Sequence, residues 1–293
     1  MSTGIDASSS AAGRPTGGLA ADPPRRWPAF LRAPGGAAGA TMILIVVLLG
    51  VFAPLLAPYG PAEQIPNANL LPPSSAHWLG TDEVNRDIFS RLLFGIRVDL
   101  MVVFIAVPFG ALIGTVIGLV STMYAFADVI AQRVFDVILA FPVLILAIGV
   151  TAAAGPGVTT IIAVIVLAEI PVFGRLARTS LLTVRAMPYV ESSQVIGAGN
   201  TWLLRKHLLP NSLEPLVVQF GVSMSIAVFI EGAMSFLGLG VRPPQPSLGS
   251  LTRDGIRNVW ESPAFVVGPL IIVTLLVLGF LLVSQAISAT RRV

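Results

Sequence analysis

Residues 137–168 read VILAFPVLILAIGVTAAAGPGVTTIIAVIVLA and contain no charged side chain. A helix needs about 20 mostly apolar residues to cross the hydrocarbon core of a bilayer. This run is too long for one crossing, and Gly155-Pro156-Gly157 interrupts it with residues that end helices. The stretch therefore predicts two membrane-spanning helices, at about 130–154 and about 158–177, joined by a very short turn.

Other apolar stretches on either side of this pair have the length of a membrane span. They predict spans at about 38–58, 98–123, 214–236 and 265–289. Backbone in lipid must satisfy its own hydrogen bonds, which favours helices. We therefore predict an all-α integral membrane protein with about six transmembrane helices in residues 33–293.

The composition supports a membrane location. Hydrophobic types make up 55% of the 293 residues and charged types only 11%, whereas soluble domains carry about 25% charged residues. The chain has no cysteine, which excludes disulfides and thiolate chemistry. Residues 1–32 are rich in Ser, Gly, Ala and Pro, and we predict that they form a disordered cytoplasmic tail.

The basic residues predict the orientation. If the N-terminus is cytoplasmic, twelve of the 18 Lys and Arg residues fall on the inner side and six on the outer side. Positive charge accumulates in cytoplasmic loops, so both termini are expected inside. Arg175, Arg178 and Arg185 are interpreted as topology anchors, and Arg133 is expected to pair with Asp136 three residues on.

The connection between the fourth and fifth spans is unusually long. Residues 187–211 read MPYVESSQVIGAGNTWLLRKHLLPN. Pro188 suits the start of a helix and Gly197 its end, while Asn200 suits the N-cap of a second one. A simple connection needs only a few residues. The loop is therefore expected to form an ordered helical hairpin that docks another protein.

This loop resembles the EAA motif of bacterial ABC importer permeases, with Glu191, then Gly197 six positions later, and Pro210 thirteen positions after that. Ser192 and Ser193 replace the two alanines of the motif. The resemblance implies a type I importer permease fold in which residues of about 187–210 form a coupling helix that sits in a cleft of the ATPase subunit. The implied coupling residues are Glu191, Ser192, Ser193, Gly197, Ala198, Leu209 and Pro210.

Three further stretches resemble the C-type subunit of the oligopeptide/dipeptide (nickel) permease family. They are HWLGTDEVNRDIFSRL at 77–92, DVILAFP at 136–142 and EGAMSFLGLGVRPPQPSLG at 231–249. The resemblance implies a subunit that forms half of the translocation pathway of an importer for peptides or similar small solutes in the bacterial inner membrane. Its implied partners are a second homologous permease, two ATP-binding-cassette ATPases and an external substrate-binding protein.

Catalysis is not expected on this chain, and neither is a cofactor. A P-loop needs Gly-Lys-[Ser/Thr], but the only lysine, Lys206, lies between Arg205 and His207. ATP hydrolysis is therefore expected on a partner subunit. The two histidines, His77 and His207, fall on opposite predicted faces of the membrane, which argues against a shared metal.

Several interpretations remain open at this level. Acidic residues within spans are costly and often functional, so Glu169 and Glu231 are candidates for a pathway role or a structural hydrogen bond. The alternating charges of residues 82–91 indicate either a solvated surface or a docking segment. The alternative function is a stand-alone secondary transporter, for which Glu169-Ile170-Pro171 is the one broken-helix candidate. A membrane-embedded enzyme ranks last, because no catalytic cluster falls within the spans.

Overall fold

The computed structural model describes Leu31, residues 33–195, Gly199, Trp202, Lys206 and residues 208–291. The predicted disordered tail, apart from Leu31, lies outside these residues. The described residues form helices, turns and one isolated bridge between Thr81 and Asp87. The helices are α1 (Pro34–Val51), α2 (Ala53–Leu56), α3 (Ile88–Ser121), α4 (Ala125–Leu139), α5 (Val143–Ala154), α6 (Val158–Arg185), α7 (Pro188–Val195), α8 (Leu209–Phe236), α9 (Leu248–Arg257) and α10 (Ala264–Arg291).

Four of the described helices, α3, α6, α8 and α10, are long and apolar enough to cross a membrane. Helices α4 and α5 provide a fifth crossing if they are counted as one broken span. The first predicted span corresponds to a shorter apolar helix, Gly35–Val51, which α2 extends to Leu56 after a break at Phe52. The chain is an all-helical membrane protein, as its sequence predicts.

Two spans differ from their predicted form. Residues 130–154 are predicted as one helix, but α4 and α5 meet at 92° around Pro142, which precedes α5 as its N-cap. Proline lacks a backbone N–H and disfavours helical geometry at the residue before it. The second span begins ten residues earlier than predicted, at Ile88 instead of 98, because its charged first turns are buried by the protein.

Helices α3 and α6 pack closely along a row of small residues. Gly110, Gly114 and Gly118 recur every four residues on α3, and Gly114 and Gly118 lie against the backbone around Gly174 of α6. Small residues at such spacing let two membrane helices approach each other. Helix α10 packs against α1 in a similar way at Gly279 and Gly39.

The bundle has two ends, which we name for the short helices that they carry. The α7 end holds α7, the last turns of α3 and α6 and the first turns of α4 and α8. The α9 end holds α9, residues 57–87, the turn between α5 and α6 and the end of α8. A continuous apolar core lies between them, and its members include Val46, Ile96, Val103, Ile165, Met234 and Leu276.

Candidate functional site

Helix α7 is attached to the bundle by one apolar cluster. Leu181 and Val184 of α6, Val190 of α7 and Leu208 before α8 are all buried together, with Leu119 of α3 packed against them. The chain turns from α6 into α7 through a hydrogen bond from the Met187 N–H to the Val184 carbonyl, at 3.1 Å. The hairpin predicted between the spans therefore begins as a short helix held on the α7 end.

The serine side chains of the predicted coupling segment form hydrogen bonds within α7. The Ser192 hydroxyl donates to the Pro188 carbonyl at 2.9 Å, and the Ser193 hydroxyl donates to the Tyr189 carbonyl at 2.8 Å. Their hydroxyls are thus used within α7, as expected for small residues that replace alanine. Glu191 lies between Val190 and Ser192 in α7. Gly197 and Ala198 lie outside the described residues.

The two remaining coupling candidates begin α8. Leu209 is its first residue and Pro210 follows, where the missing N–H of proline leaves no intrahelical bond unmade. The next residue, Asn211, connects α8 to α7, because its side-chain amide donates to the Tyr189 hydroxyl at 3.3 Å. The structure thus brings Ser192, Ser193, Leu209 and Pro210 to the same end of the bundle.

Large side chains remain accessible around this helix. Met187 and Tyr189 are each about 40% exposed, and Trp202 is 47% exposed with the Lys206 ammonium 5.4 Å from its ring centroid. An apolar surface on a polar end of a membrane protein is typical of a protein contact.

Ion pairs fasten α4 to α6 at this end. Arg178 forms a bidentate pair with Asp128, with both N–O distances at 2.6 Å. Arg175 pairs with Asp136, and Arg133 also approaches Asp136 at 3.7 Å, as the sequence predicts. The partners of Arg175 and Arg178 are not apparent from the sequence, because 39 and 50 residues separate them along the chain.

Glu169 is buried where α3, α6 and α8 meet. Its Oε2 accepts a 2.6 Å hydrogen bond from the Ser223 hydroxyl, which in turn accepts one from the Gln219 amide at 3.2 Å. Its Cβ lies against Gly110 of α3. Glu169 thus joins α6 to α8 through hydrogen bonds and packs against α3 through its Cβ.

Glu231 is buried at the α9 end together with Asp99, which the sequence analysis did not single out. Glu231 Oε1 accepts from the Ser235 hydroxyl at 2.7 Å, and Asp99 Oδ2 accepts from the Leu248 N–H at 3.2 Å. Asp99 lies inside the second predicted span, 98–123, one residue before a charge-free run that begins at Leu100. The earlier start of α3 places it within the bundle.

The alternating charges of residues 82–91 form a network instead of a solvated surface. Asp82, Asp87 and Arg91 are at most 3% exposed. Asp87 caps α3 by accepting from the Ser90 N–H at 2.7 Å, and its other oxygen contacts His77 Nδ1 at 2.9 Å. This arrangement contradicts the solvated interpretation for these three residues.

Models of two protein families match this chain. The one described as "Binding-protein-dependent transport system inner membrane component" matches residues 93–292, and the one described as "N-terminal TM domain of oligopeptide transport permease C" matches residues 25–73. The chain belongs to the family of binding-protein-dependent transport system inner membrane components. It is therefore a multi-pass inner membrane protein and a permease of an ABC transporter, and the predicted likeness to the C-type subunit is confirmed.

Similar permeases match this inner membrane component over most of its length. It is 35% identical to the "Dipeptide transport system permease protein DppC" of Alkalihalophilus pseudofirmus, over 85% of this chain and 82% of that protein. It is also 35% identical to the "Glutathione transport system permease protein GsiD" of Pectobacterium atrosepticum, over 89% and 87%. With the "Di/tripeptide transport system permease protein DppC" of Pseudomonas aeruginosa it shares 36% identity over 80% of each chain.

Solved structures confirm the permease fold. A chain of the MetNI methionine ABC transporter in an inward-facing conformation aligns with a TM-score of 0.53 and 19% identity, over 68% of this permease and 95% of that chain. A second crystal form gives a TM-score of 0.52. These findings support the importer permease fold and give no support to the secondary-transporter alternative.

Proposed function

We propose that this permease forms half of the translocation pathway of an importer for peptides or similar small solutes. The names of its relatives support this solute class, because they include dipeptide, di/tripeptide and glutathione transport systems. The other half of the pathway belongs to a second homologous permease, as is usual for permeases of ABC transporters.

ATP hydrolysis belongs to two ATPase subunits that dock at the α7 end. The observation that carries this proposal is α7 itself, a short helix anchored by the buried Val190 and flanked by the accessible Met187 and Tyr189. The anchoring cluster joins α7 to α6 and to Leu208 before α8. A movement of the docked ATPase is therefore transmitted through α7 to both long helices. In this function Glu191, Ser192, Ser193, Gly197, Ala198, Leu209 and Pro210 form or position the coupling surface.

The α9 end then faces outward and receives an external substrate-binding protein. The basic residues support this orientation, because Arg133, Arg175, Arg178 and Arg185 lie at the α7 end. Both termini are cytoplasmic in this arrangement. Glu169 serves as a structural link next to the pathway, and Glu231 holds residues 238–257, after α8, in place.

Loss of the α7 anchor tests the coupling role. Val190→Asp places a charge in the apolar cluster, so α7 should detach from α6 and α8 while the long helices remain inserted. We expect the variant to reach the membrane, to lose the ATPase on affinity purification and to lose at least tenfold in solute uptake. Thr183→Asp, on the exposed face of α6 two turns earlier, is the matched control and should retain both. Full solute uptake by Val190→Asp would show that α7 is not needed for coupling.

A further inference from the structure

Two fully buried carboxyl groups lie next to each other at the α9 end. Asp99 of α3 is 1% exposed and Glu231 of α8 is 0% exposed, and both side chains lie beside the start of α9. Two adjacent ionised carboxylates have no donor to place between them, so a proton on one of them stabilises such a pair.

The remaining oxygens of the pair show the same shortage of donors. Asp99 Oδ1 and Glu231 Oε2 are buried, and neither accepts an N–H or O–H from any part of the chain that the structure describes. Among the residues that the structure describes, only Ser235 and the Leu248 N–H donate to the pair, one to each carboxyl. Both donors are neutral, and two negative charges in contact in such a site would repel each other strongly.

The charged groups on the surrounding helices are directed elsewhere. Among the described residues, no Arg, Lys or His is bonded to either carboxyl: Arg91 reaches Asp82 and Pro61, His77 contacts Asp87, and Arg253 pairs with Asp254. Glu169 is bonded to Ser223, and the side chains of Arg97, Arg242 and Arg257 are exposed. Residues 35–51 of α1, α5 and residues 264–290 of α10 contain no charged residue.

The pair also connects two long helices to the outer segment, residues 238–257. Asp99 holds the first N–H of α9 through Leu248, beside the contact of Gly95 with Ser247. Ser235 bridges Glu231 to the Val241 N–H at 3.4 Å. The two carboxyls therefore hold this segment at Val241 and at Leu248.

We propose that Asp99 and Glu231 form a binding site for a single proton, which fastens the outer segment to α3 and α8. With one proton the pair is a carboxylic acid that donates to a carboxylate. The α9 N-terminus then faces a single negative charge, which its dipole favours.

The pH dependence of stability tests this proton site directly. In the proposed site the folded chain keeps a proton that the unfolded chain releases above about pH 4, so each further pH unit is expected to shift the unfolding equilibrium of the wild type about tenfold toward unfolding. Glu231→Gln supplies an amide N–H in place of the proton and removes this linkage. The melting temperature of Glu231→Gln, measured for the full-length chain in its purified complex, should therefore rise relative to wild type between pH 5.5 and pH 8.5.

Two further variants complete the test. Asp99→Asn should show the same relative gain in melting temperature, because its amide donates to Glu231 and its carbonyl accepts from Leu248. It replaces Glu231→Gln in the test if that variant does not fold. Glu261→Gln removes an exposed carboxyl and should follow wild type at every pH. The infrared band of a protonated carboxyl should disappear in either pair variant and persist in Glu261→Gln.

Two results would overturn the proposal. One is a melting-temperature difference between wild type and both pair variants that does not change with pH. The other is a wild-type melting temperature that rises with added sodium or potassium ions in a way that either variant abolishes, because the two carboxylates would then both be ionised around a metal cation.

Discussion

Gly114 lies where α3 crosses α6, and a side chain at this position has no space. A Cβ atom there would meet the Ile170 carbonyl and would lie 3.1 Å from the Gly174 nitrogen. We expect Gly114→Leu to lower the free energy of unfolding by about 1–3 kcal/mol or more, because the two backbones must separate. Thermal unfolding of the purified protein measures this loss.

Gly149 provides the matched control for that substitution. It lies in α5, and a Cβ atom there would meet no other atom within 4 Å. Gly149→Leu should therefore melt within a few degrees of wild type. Equal destabilisation by both substitutions would show that the close crossing of α3 and α6 is not what the glycine at position 114 provides.

Some of the buried polar residues could be predicted from the sequence, but their partners could not. Glu231 and Glu169 are recognisable as candidates because an acid inside an apolar run is costly. Asp99 meets the same criterion, because it lies in the second predicted span, but nothing in the sequence pairs it with Glu231. Ser223, the partner of Glu169, is not recognisable, since it comes from another helix and its residue type is ordinary. The sequence shows which polar groups require a partner, but only the packing of the helices shows what that partner is.

At the scale of the element, Asp87 determines where α3 begins. Its carboxylate accepts from both the Ser90 N–H and the Ser90 hydroxyl at 2.7 Å and contacts His77. Loss of an N-cap costs about 0.5–2 kcal/mol. We expect Asp87→Ala to lose at least this much stability, and Asp87→Asn to lose less, because asparagine also caps helices well.

The exposed neighbour Glu83 provides the control for the cap. Glu83→Ala removes a carboxylate from the same loop without touching α3 and should leave the melting temperature unchanged. If Asp87→Ala and Glu83→Ala melt alike, the charges of residues 82–91 act only as a surface. In that case the buried network would contribute nothing to the start of α3.

Helices were easier to predict than their boundaries. Runs without charge locate the long helices, because lipid excludes charged side chains. The same rule fails at Ile88, since the charged turn before the predicted span is covered by protein instead of lipid. It also fails at Pro142, where an apolar run continues through a sharp bend. Pro188 did predict the start of a helix, α7, within the coupling loop.

At the scale of the whole molecule, the proposed orientation has a direct test. Reporter fusions at Gly35 and at Val293 should both be read as cytoplasmic, and a fusion near Asn69, in the segment at the α9 end, should be read as external. The Arg-rich α7 end is expected inside because positive charge is retained in the cytoplasm. A cytoplasmic reading at Asn69 would reverse the assignment of the two ends and move the ATPase contact away from α7.

The central claim is that this permease imports solute only when ATPase subunits drive it. Uptake of a labelled dipeptide into proteoliposomes tests this most directly, with the complete complex and the external binding protein, in the presence and absence of ATP on the ATPase side. We expect accumulation with ATP, none without it, and none for this chain reconstituted alone under a proton or sodium gradient. Gradient-driven accumulation by the chain alone would show that it needs no ATPase and would restore the secondary-transporter alternative.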